Sequence, residues 1–356
     1  MAAIDVTVRG AGIFGLSVAW ACARRGASVR VIDPHGVAAG ASGGIVGALA
    51  PHVPETWNEK KAFQLDSLLA AAAFWAEVRD VGGADPGYGR LGRLQPVEDD
   101  AGLERARERA DGAAGHWRAA AEWRVIRAEA AGTFAPVTPT GWLVHDTLSA
   151  RIHPRRACEA LAAALRVRGV EIVADACESG AVVWATGWRG LSEMTDAAGR
   201  PAGAGVKGQA ALIRHDAGAV PQVFADGLHV VPHDDGTVAI GSTSERTFDA
   251  PDATDAQVDD LVARAVRVLP VLAGAEIVAR WAGVRPRARS RAPLLGPWPG
   301  RRNHFVANGG FKIGFGMAPR VGDVMADLVL EARDAIPVPF HAEAALGPGS
   351  AHGVRG

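Results

Sequence analysis

The sequence predicts an α/β protein of two interlocked domains, one of them built on a nucleotide-binding parallel sheet. Three observations carry that reading. A complete strand, glycine-rich turn, helix and strand unit lies between Ile4 and Asp33. A second apolar strand, Val182-Val-Trp184, ends in Ala185-Thr186-Gly187. The length, 356 residues, is too great for one ordinary core and too small for three domains.

In the first unit, Ile4 to Arg9 reads as a strand and is followed by Gly10-Ala-Gly12-Ile13-Phe14-Gly15. Gly10 permits the tight turn, Gly12 lets the backbone approach a pyrophosphate, and Gly15 allows the helix to lie close on the strand. The helix, expected from Leu16 to Arg25, would turn its free N–H groups and positive dipole end toward the phosphates. A second strand, Ser28 to Ile32, ends in Asp33, whose carboxylate suits ribose hydroxyls. The unit predicts a dinucleotide site and leaves NAD and FAD both open.

The loop Pro34 to Pro51 is rich in small residues. Ala41, Ser42, Gly43, Gly44, Gly47, Ala48 and Leu49 would let the backbone approach a long cofactor, with the Ser42 hydroxyl offered to a phosphate. Ala185, Thr186, Gly187 and Trp188 stand where the C-terminal end of a parallel strand meets a nucleotide. Further along, helices are expected at Pro154 to Arg168, Ala256 to Leu269 and Pro319 to Arg333, a strand from Lys207, and a hairpin from His229 to Ile240 turning at Asp235-Gly236. The glycine- and proline-containing segment after Ile336 reads as a loose end.

Charge and cysteines narrow the function. Lys plus Arg (38) nearly cancels Asp plus Glu (39), so no general field draws nucleic acid or anionic lipid, and a nucleic-acid partner is not expected. The apolar stretch Ile13 to Ala23 is cut by Arg24 and Arg25, and Asp5 precedes every basic residue, which is neither a membrane span nor a signal peptide. Cys22, Cys158 and Cys177 lie far apart without metal-ligand spacing, so they read as reduced core thiols of a cytoplasmic protein, and no metal site is expected.

The late chain adds Trp281-Ala-Gly283-Val-Arg285-Pro286, then Pro293-Leu-Leu-Gly296-Pro297, then Phe305-Val-Ala-Asn-Gly309-Gly310-Phe311-Lys312-Ile313-Gly314. In this order, behind the N-terminal unit, these segments resemble the FAD-dependent D-amino-acid oxidase superfamily and its glycine oxidase-like branch, across nearly the whole chain. The resemblance implies FAD rather than NAD. It implies a FAD-binding Rossmann-like domain (1–50, 151–205 and 286–335), an inserted mixed-sheet substrate domain (51–150 and 206–285) and a C-terminal tail (336–356). It also implies oxidation of the C–N bond of a small amino acid or amine by hydride transfer to flavin N5, giving an imine that hydrolyses, with oxygen or another acceptor taking the electrons.

On the same resemblance, Arg285 matches the arginine that clamps a substrate carboxylate. Lys312 would help hold that carboxylate or face the flavin N1 and O2 edge, and His52 and His229 are candidate substrate contacts. Gly309, Gly310, Phe311, Lys312, Ile313, Pro34 and Arg285 join the cofactor contacts. The N-terminus of a helix starting near Pro319 would point at the flavin O2. No cysteine falls near Gly309 to Met317, so noncovalent flavin is expected. The chain departs from the family pattern in one respect: its only tyrosine is Tyr88, and His229 stands near the position where relatives carry a substrate-domain tyrosine. Two other readings are an oxidase of larger amines, like the tRNA-modifying proteins of this fold, and a flavin-binding protein without catalysis.

Overall fold

The computed structural model describes residues 3–117 and 119–347. Val6, Thr7 and Val8 are all buried, as a strand covered on both faces requires. That strand, Val6–Arg9, is paired in parallel with Val29–Ile32 on one side and Ala181–Trp184 on the other. Glu171–Val173 and His304–Asn308 extend the parallel ladder outward, and Leu294–Pro297 closes the far edge antiparallel. Three helices pack together over this sheet, Ile13–Arg24, Pro154–Val167 and Gly314–Glu331, with Trp20, Leu16, Leu161 and Met317 in the shared core.

The second sheet has eight strands and begins with Ile277–Ala288 against Gly203–Arg214. It continues through Thr237–Gly241, Leu228–Pro232 and Gln222–Ala225, then Arg93–Pro96, Trp142–Asp146 and Trp123–Arg127. All its pairs are antiparallel except Gln222–Ala225 with Arg93–Pro96, which makes it mixed. Helix Gln257–Val268 covers one face through Leu261 and Ala265. A two-stranded ladder, Ala48–Leu49 with Ala150–Arg151, knits the two parts at their junction. Gly203–Arg214 and Ile277–Ala288 straddle the expected domain boundaries at 205 and 285, and both lie wholly in the larger sheet. The Asp235-Gly236 turn joins Leu228–Pro232 to Thr237–Gly241, with His233 N–H donating to the Thr237 carbonyl at 2.8 Å.

Three expectations are corrected. The last helix starts at Gly314, not near Pro319: Phe311 adopts φ +41°, the chain turns sharply there, and Met317 N–H already bonds the Ile313 carbonyl at 3.0 Å. Pro319 therefore sits inside the helix, where its missing N–H leaves the Phe315 carbonyl without its helical donor. The segment after Ile336 is not loose as far as Gly347. Phe340 packs edge-on to Phe63 with ring centroids 5.3 Å apart, and Ala342 N–H donates to the Leu295 carbonyl at 2.8 Å. Ala345 and Leu346 are buried beside Leu191 and Met194, while residues 348–356 lie outside the described residues. Finally, Cys177 is exposed and only Cys22 and Cys158 are core thiols, because Cys177 lies just beyond the edge strand Glu171–Val173.

Because Phe340 is 1% exposed, Phe340→Ala should cost about 3–5 kcal/mol and lower the urea midpoint with an unchanged slope. An unmoved midpoint would mean that the segment contributes nothing to the core.

Candidate active site

At the C-terminal edge of the parallel sheet the backbone is crowded. Gly10 has φ +109°, and a Cβ there would overlap the Ala185 carbonyl of the neighbouring strand end. A Cβ at Gly15 would in turn overlap the Gly10 carbonyl, so helix Ile13–Arg24 can lie on the turn only because both positions are bare. Ile13 N–H, at the first turn of this helix, donates to Ser42 Oγ at 3.0 Å. Asp33 accepts from Ala11 N–H at 2.8 Å through Oδ2 and from His35 N–H at 2.9 Å through Oδ1. Its carboxylate thus fastens the turn while keeping lone pairs for a ligand.

These groups open onto a cavity of about 820 Å³, at the upper end of the roughly 300–1,000 Å³ of small-molecule sites. Gly10, Gly12, Ile13, Phe14, Asp33 and Pro34 line one end of it. The loop contributes Ala41, Ser42, Gly44, Gly47 and Ala48, and the second strand end Ala185, Thr186, Gly187 and Trp188. The late segment brings Gly309, Gly310, Phe311 and Lys312, followed by the first helical turn, Gly314 to Gly316. Arg285 and His229 line it from the larger sheet. Gly15, Gly43, Leu49 and Ile313 stand behind this wall and support it. A Cβ at Gly43 would meet the Ala38 carbonyl, and Leu49 belongs to the junction ladder.

His52 is corrected. It does not line the cavity; its side chain is exposed to solvent, and its backbone N–H and ring Nδ1 both meet Gln64 Oε1. The chain after Leu49 leaves the junction ladder toward helix Glu59–Gly82, carrying His52 away from the site.

The end of the cavity nearest the larger sheet carries two cations. Arg285, on strand Ile277–Ala288, is largely buried, and burial pulls its guanidinium down to about 10 despite the opposing charge of Glu245. Lys312 is lowered by burial and by Arg285. Among the described residues no carboxylate lies within 4.0 Å of either. His229 is held neutral, lowered to about 3 by burial and by Arg93, Lys312 and Arg285, and its Nδ1 is buried with no partner. Arg93 differs from the other two cations, because its partner Asp146 lies at 3.0 Å in the core.

Several lining residues escape a sequence reading. Phe224, Ser242, Ala210 and Trp281 face the cavity, as do Arg9 and Trp184 at the opposite end. Trp184 Nε1 donates to His304 Nδ1 at 2.9 Å, and the Arg9 guanidinium lies 5.2 Å from its ring. Only Trp281 carried a signal, through the motif it shares with Arg285.

The wall fits a flavin dinucleotide. Bare backbone meets the cavity at Gly12 and Gly44, a helix N-terminus opens onto each of two stretches of it, and Thr186 Oγ1 is buried without a protein partner. A family model described as FAD dependent oxidoreductase matches residues 5–328. A glycine oxidase of Geobacillus kaustophilus (strain HTA426) is 28% identical over 372 aligned residues, 91% of this chain and 92% of its own. A glycine oxidase of Pseudomonas putida is 37% identical over 145 residues, so the match spans 40% of that relative's length. The solved structure of glycine oxidase from Geobacillus kaustophilus superimposes with a TM-score of 0.81 at 24% identity, over 95% of this chain and 98% of that one. Iminodiacetate oxidase from Chelativorans sp. BNC1 gives 0.81 at 21% identity over 95% and 98%. At such identities the superpositions speak for the fold alone.

Asp33→Ala should weaken FAD binding by roughly ten- to a hundred-fold, since hydrogen bonds to a charged group carry about 1.5–3 kcal/mol. Titration of flavin-stripped protein by fluorescence quenching tests this, and unchanged affinity would remove Asp33 from the site.

Proposed function

The chain belongs to the FAD dependent oxidoreductase family, and from that premise we propose that it oxidises the C–N bond of a small amino acid, held by its carboxylate. The observation that carries the reading is Arg285: a buried guanidinium, in the cavity, with no carboxylate of its own within ion-pair distance among the described residues. A buried charge without a partner is costly, and a ligand that brings the partner removes the cost. Glycine oxidase among the relatives supports an amino-acid substrate.

When bound, FAD accepts the two electrons and the hydrogen removed from the carbon next to nitrogen. The residues that would hold it are the Gly10 to Phe14 turn with Asp33, Ser42 and its loop, Ala185 to Trp188, and Gly309 to Phe311 with the start of helix Gly314–Glu331. None of the three cysteines lines the cavity, which supports noncovalent binding. What the protein must add is orientation. A guanidinium offers two parallel N–H groups to one carboxylate, which fixes the direction of the adjoining carbon. Lys312 adds positive potential at the same end of the cavity. His229 stays uncharged, so it offers a hydrogen bond without a third positive charge. Water then hydrolyses the imine product to a carbonyl compound and ammonia or an amine. We infer oxygen or another small acceptor for the electrons, no nucleic-acid partner given the balanced charge, and, from the unpaired thiols, a cytoplasmic setting.

Arg285→Met should keep the flavin and raise KM for the best amino-acid substrate by roughly thirty- to several-thousand-fold, since truncating one partner of a desolvated charge pair costs about 2–5 kcal/mol. Arg285→Lys should recover only part of this. The check is anaerobic flavin bleaching at low substrate concentration, and wild-type rates in the methionine variant would point to an amine without a carboxylate.

The pH dependence has a definite sign. Arg285 is charged below about 10 and loses that charge as the pH rises through it, so acetate should bind with constant affinity from pH 6 to 9 and weaken above. His229 titrates near 3 and should add no break between pH 5 and 8. A break near 6.5 in the acetate titration that His229→Gln abolishes would show the imidazole charging in the site.

A further inference from the structure

Resting on the reading that Arg285 receives a substrate carboxylate, we propose that Ser242 is the positioning residue that aims its guanidinium, across a sheet face left bare at Gly208. Arg285 belongs to strand Ile277–Ala288, and Ser242 follows directly on strand Thr237–Gly241. The two strands are not neighbours. Strand Gly203–Arg214 lies between them, with Val206 opposite Arg285 on one side and Ala210 opposite Gly241 on the other. To reach Ser242 the arginine side chain must cross that middle strand.

It crosses at Gly208. A Cβ on this residue would overlap Nη1, Nη2 and Cζ of Arg285, so any side chain there would push the guanidinium away. On the far side Nη2 donates to Ser242 Oγ at 2.6 Å, and Nη1 lies 3.4 Å from the Thr243 carbonyl. Both acceptors are neutral, so they fix direction without cancelling charge. The nearest acid, Glu245, is held back. Gln209 Nε2 donates to its two carboxylate oxygens at 3.2 and 3.3 Å, Thr243 Oγ1 bonds one of them, and Lys207 Nζ lies at 3.8 Å. These contacts anchor the 242–245 segment from behind and leave Arg285 positive toward the cavity.

Ser242 also lines that cavity. Its oxygen is used as an acceptor from Arg285, which leaves its own O–H free to donate toward a carboxylate on the guanidinium. Without the hydroxyl, Nη2 would lose its short, charge-assisted partner and the fork would swing between Thr243 and the cavity.

The test uses the flavin-loaded protein, three variants at Ser242 and Gly208, and Arg285→Met as the reference. Ser242→Ala should keep flavin content and melting temperature, raise KM for the best amino-acid substrate and Kd for acetate about ten-fold or more, and change kcat by less than about two-fold. Ser242→Thr should restore both constants, and Gly208→Ala should weaken acetate at least as strongly as Ser242→Ala. If Ser242→Ala does not fold, Ser242→Cys keeps the volume with a weaker acceptor and is read in its place. Unchanged KM and acetate Kd in the variant read, or a loss that threonine does not restore, overturns the proposal. Arg285→Met separates the two claims: if it weakens acetate while Ser242→Ala does not, the clamp stands and the positioning role falls, and if neither does, the clamp itself is wrong.

Discussion

The site rests on a piece of backbone crowding. Val6–Arg9 is paired on both sides, so the chain leaving it can turn only through the space between its neighbours' ends. A single Cβ at Gly10 would fill that space against Ala185, and one at Gly15 would lift the helix off the turn. With both absent, the N-terminus of Ile13–Arg24 comes down at the C-terminal edge of the sheet, where exposed N–H groups favour an anion. Everything that follows is tied to that point. Asp33 binds Ala11 N–H and Ser42 binds Ile13 N–H, so the loop between them is laid along the cavity by the same turn it helps to close. The loop then runs into the Ala48–Leu49 ladder, where it pairs with Ala150–Arg151 before helix Glu59–Gly82 begins.

How much of this could be read from the sequence follows from how local each constraint is. The Ile4 to Asp33 unit was legible because its turn, helix and acidic terminus are contiguous, and each residue type has one physical use there. The opposite wall was not. Phe224, Ala210 and Ser242 reach the cavity because the strands carrying them are stacked in one sheet, and the register that does so is set by pairings across dozens of residues. Arg285 was legible only through the motif it shares with a family. Nothing in Lys207-Gly208-Gln209 announces that an arginine crosses there.

The misplaced expectations share a cause. His52 follows directly on the glycine-rich loop, yet Gln64 on helix Glu59–Gly82 captures it. Pro319 has the propensity of a helix start, and the turn at Phe311 overrides it by supplying an earlier one. The segment after Ile336 has the composition of a loop, but one aromatic, Phe340, finds a ring to pack on and orders its neighbours. In each case a partner distant in the chain outweighed the local signal.

The electrostatics of the cavity support the proposed carboxylate-bearing substrate over a neutral amine of similar size. Burial pulls Arg285 down to about 10 and so destabilises its charged form, with Glu245 offsetting only part of the effect. The fold could have lowered that cost by letting Glu245 approach, but Lys207, Gln209 and Thr243 hold the carboxylate away. Neutral acceptors on Ser242 and Thr243 direct the guanidinium without satisfying its charge. By linkage, whatever raises the arginine back toward its ordinary value must bind more tightly for doing so, and a carboxylate does this where an uncharged group cannot. The proposed selectivity for an acid thus rests on a buried charge with no carboxylate partner among the described residues, and the neutral His229 adds no further positive charge to those of Arg285 and Lys312.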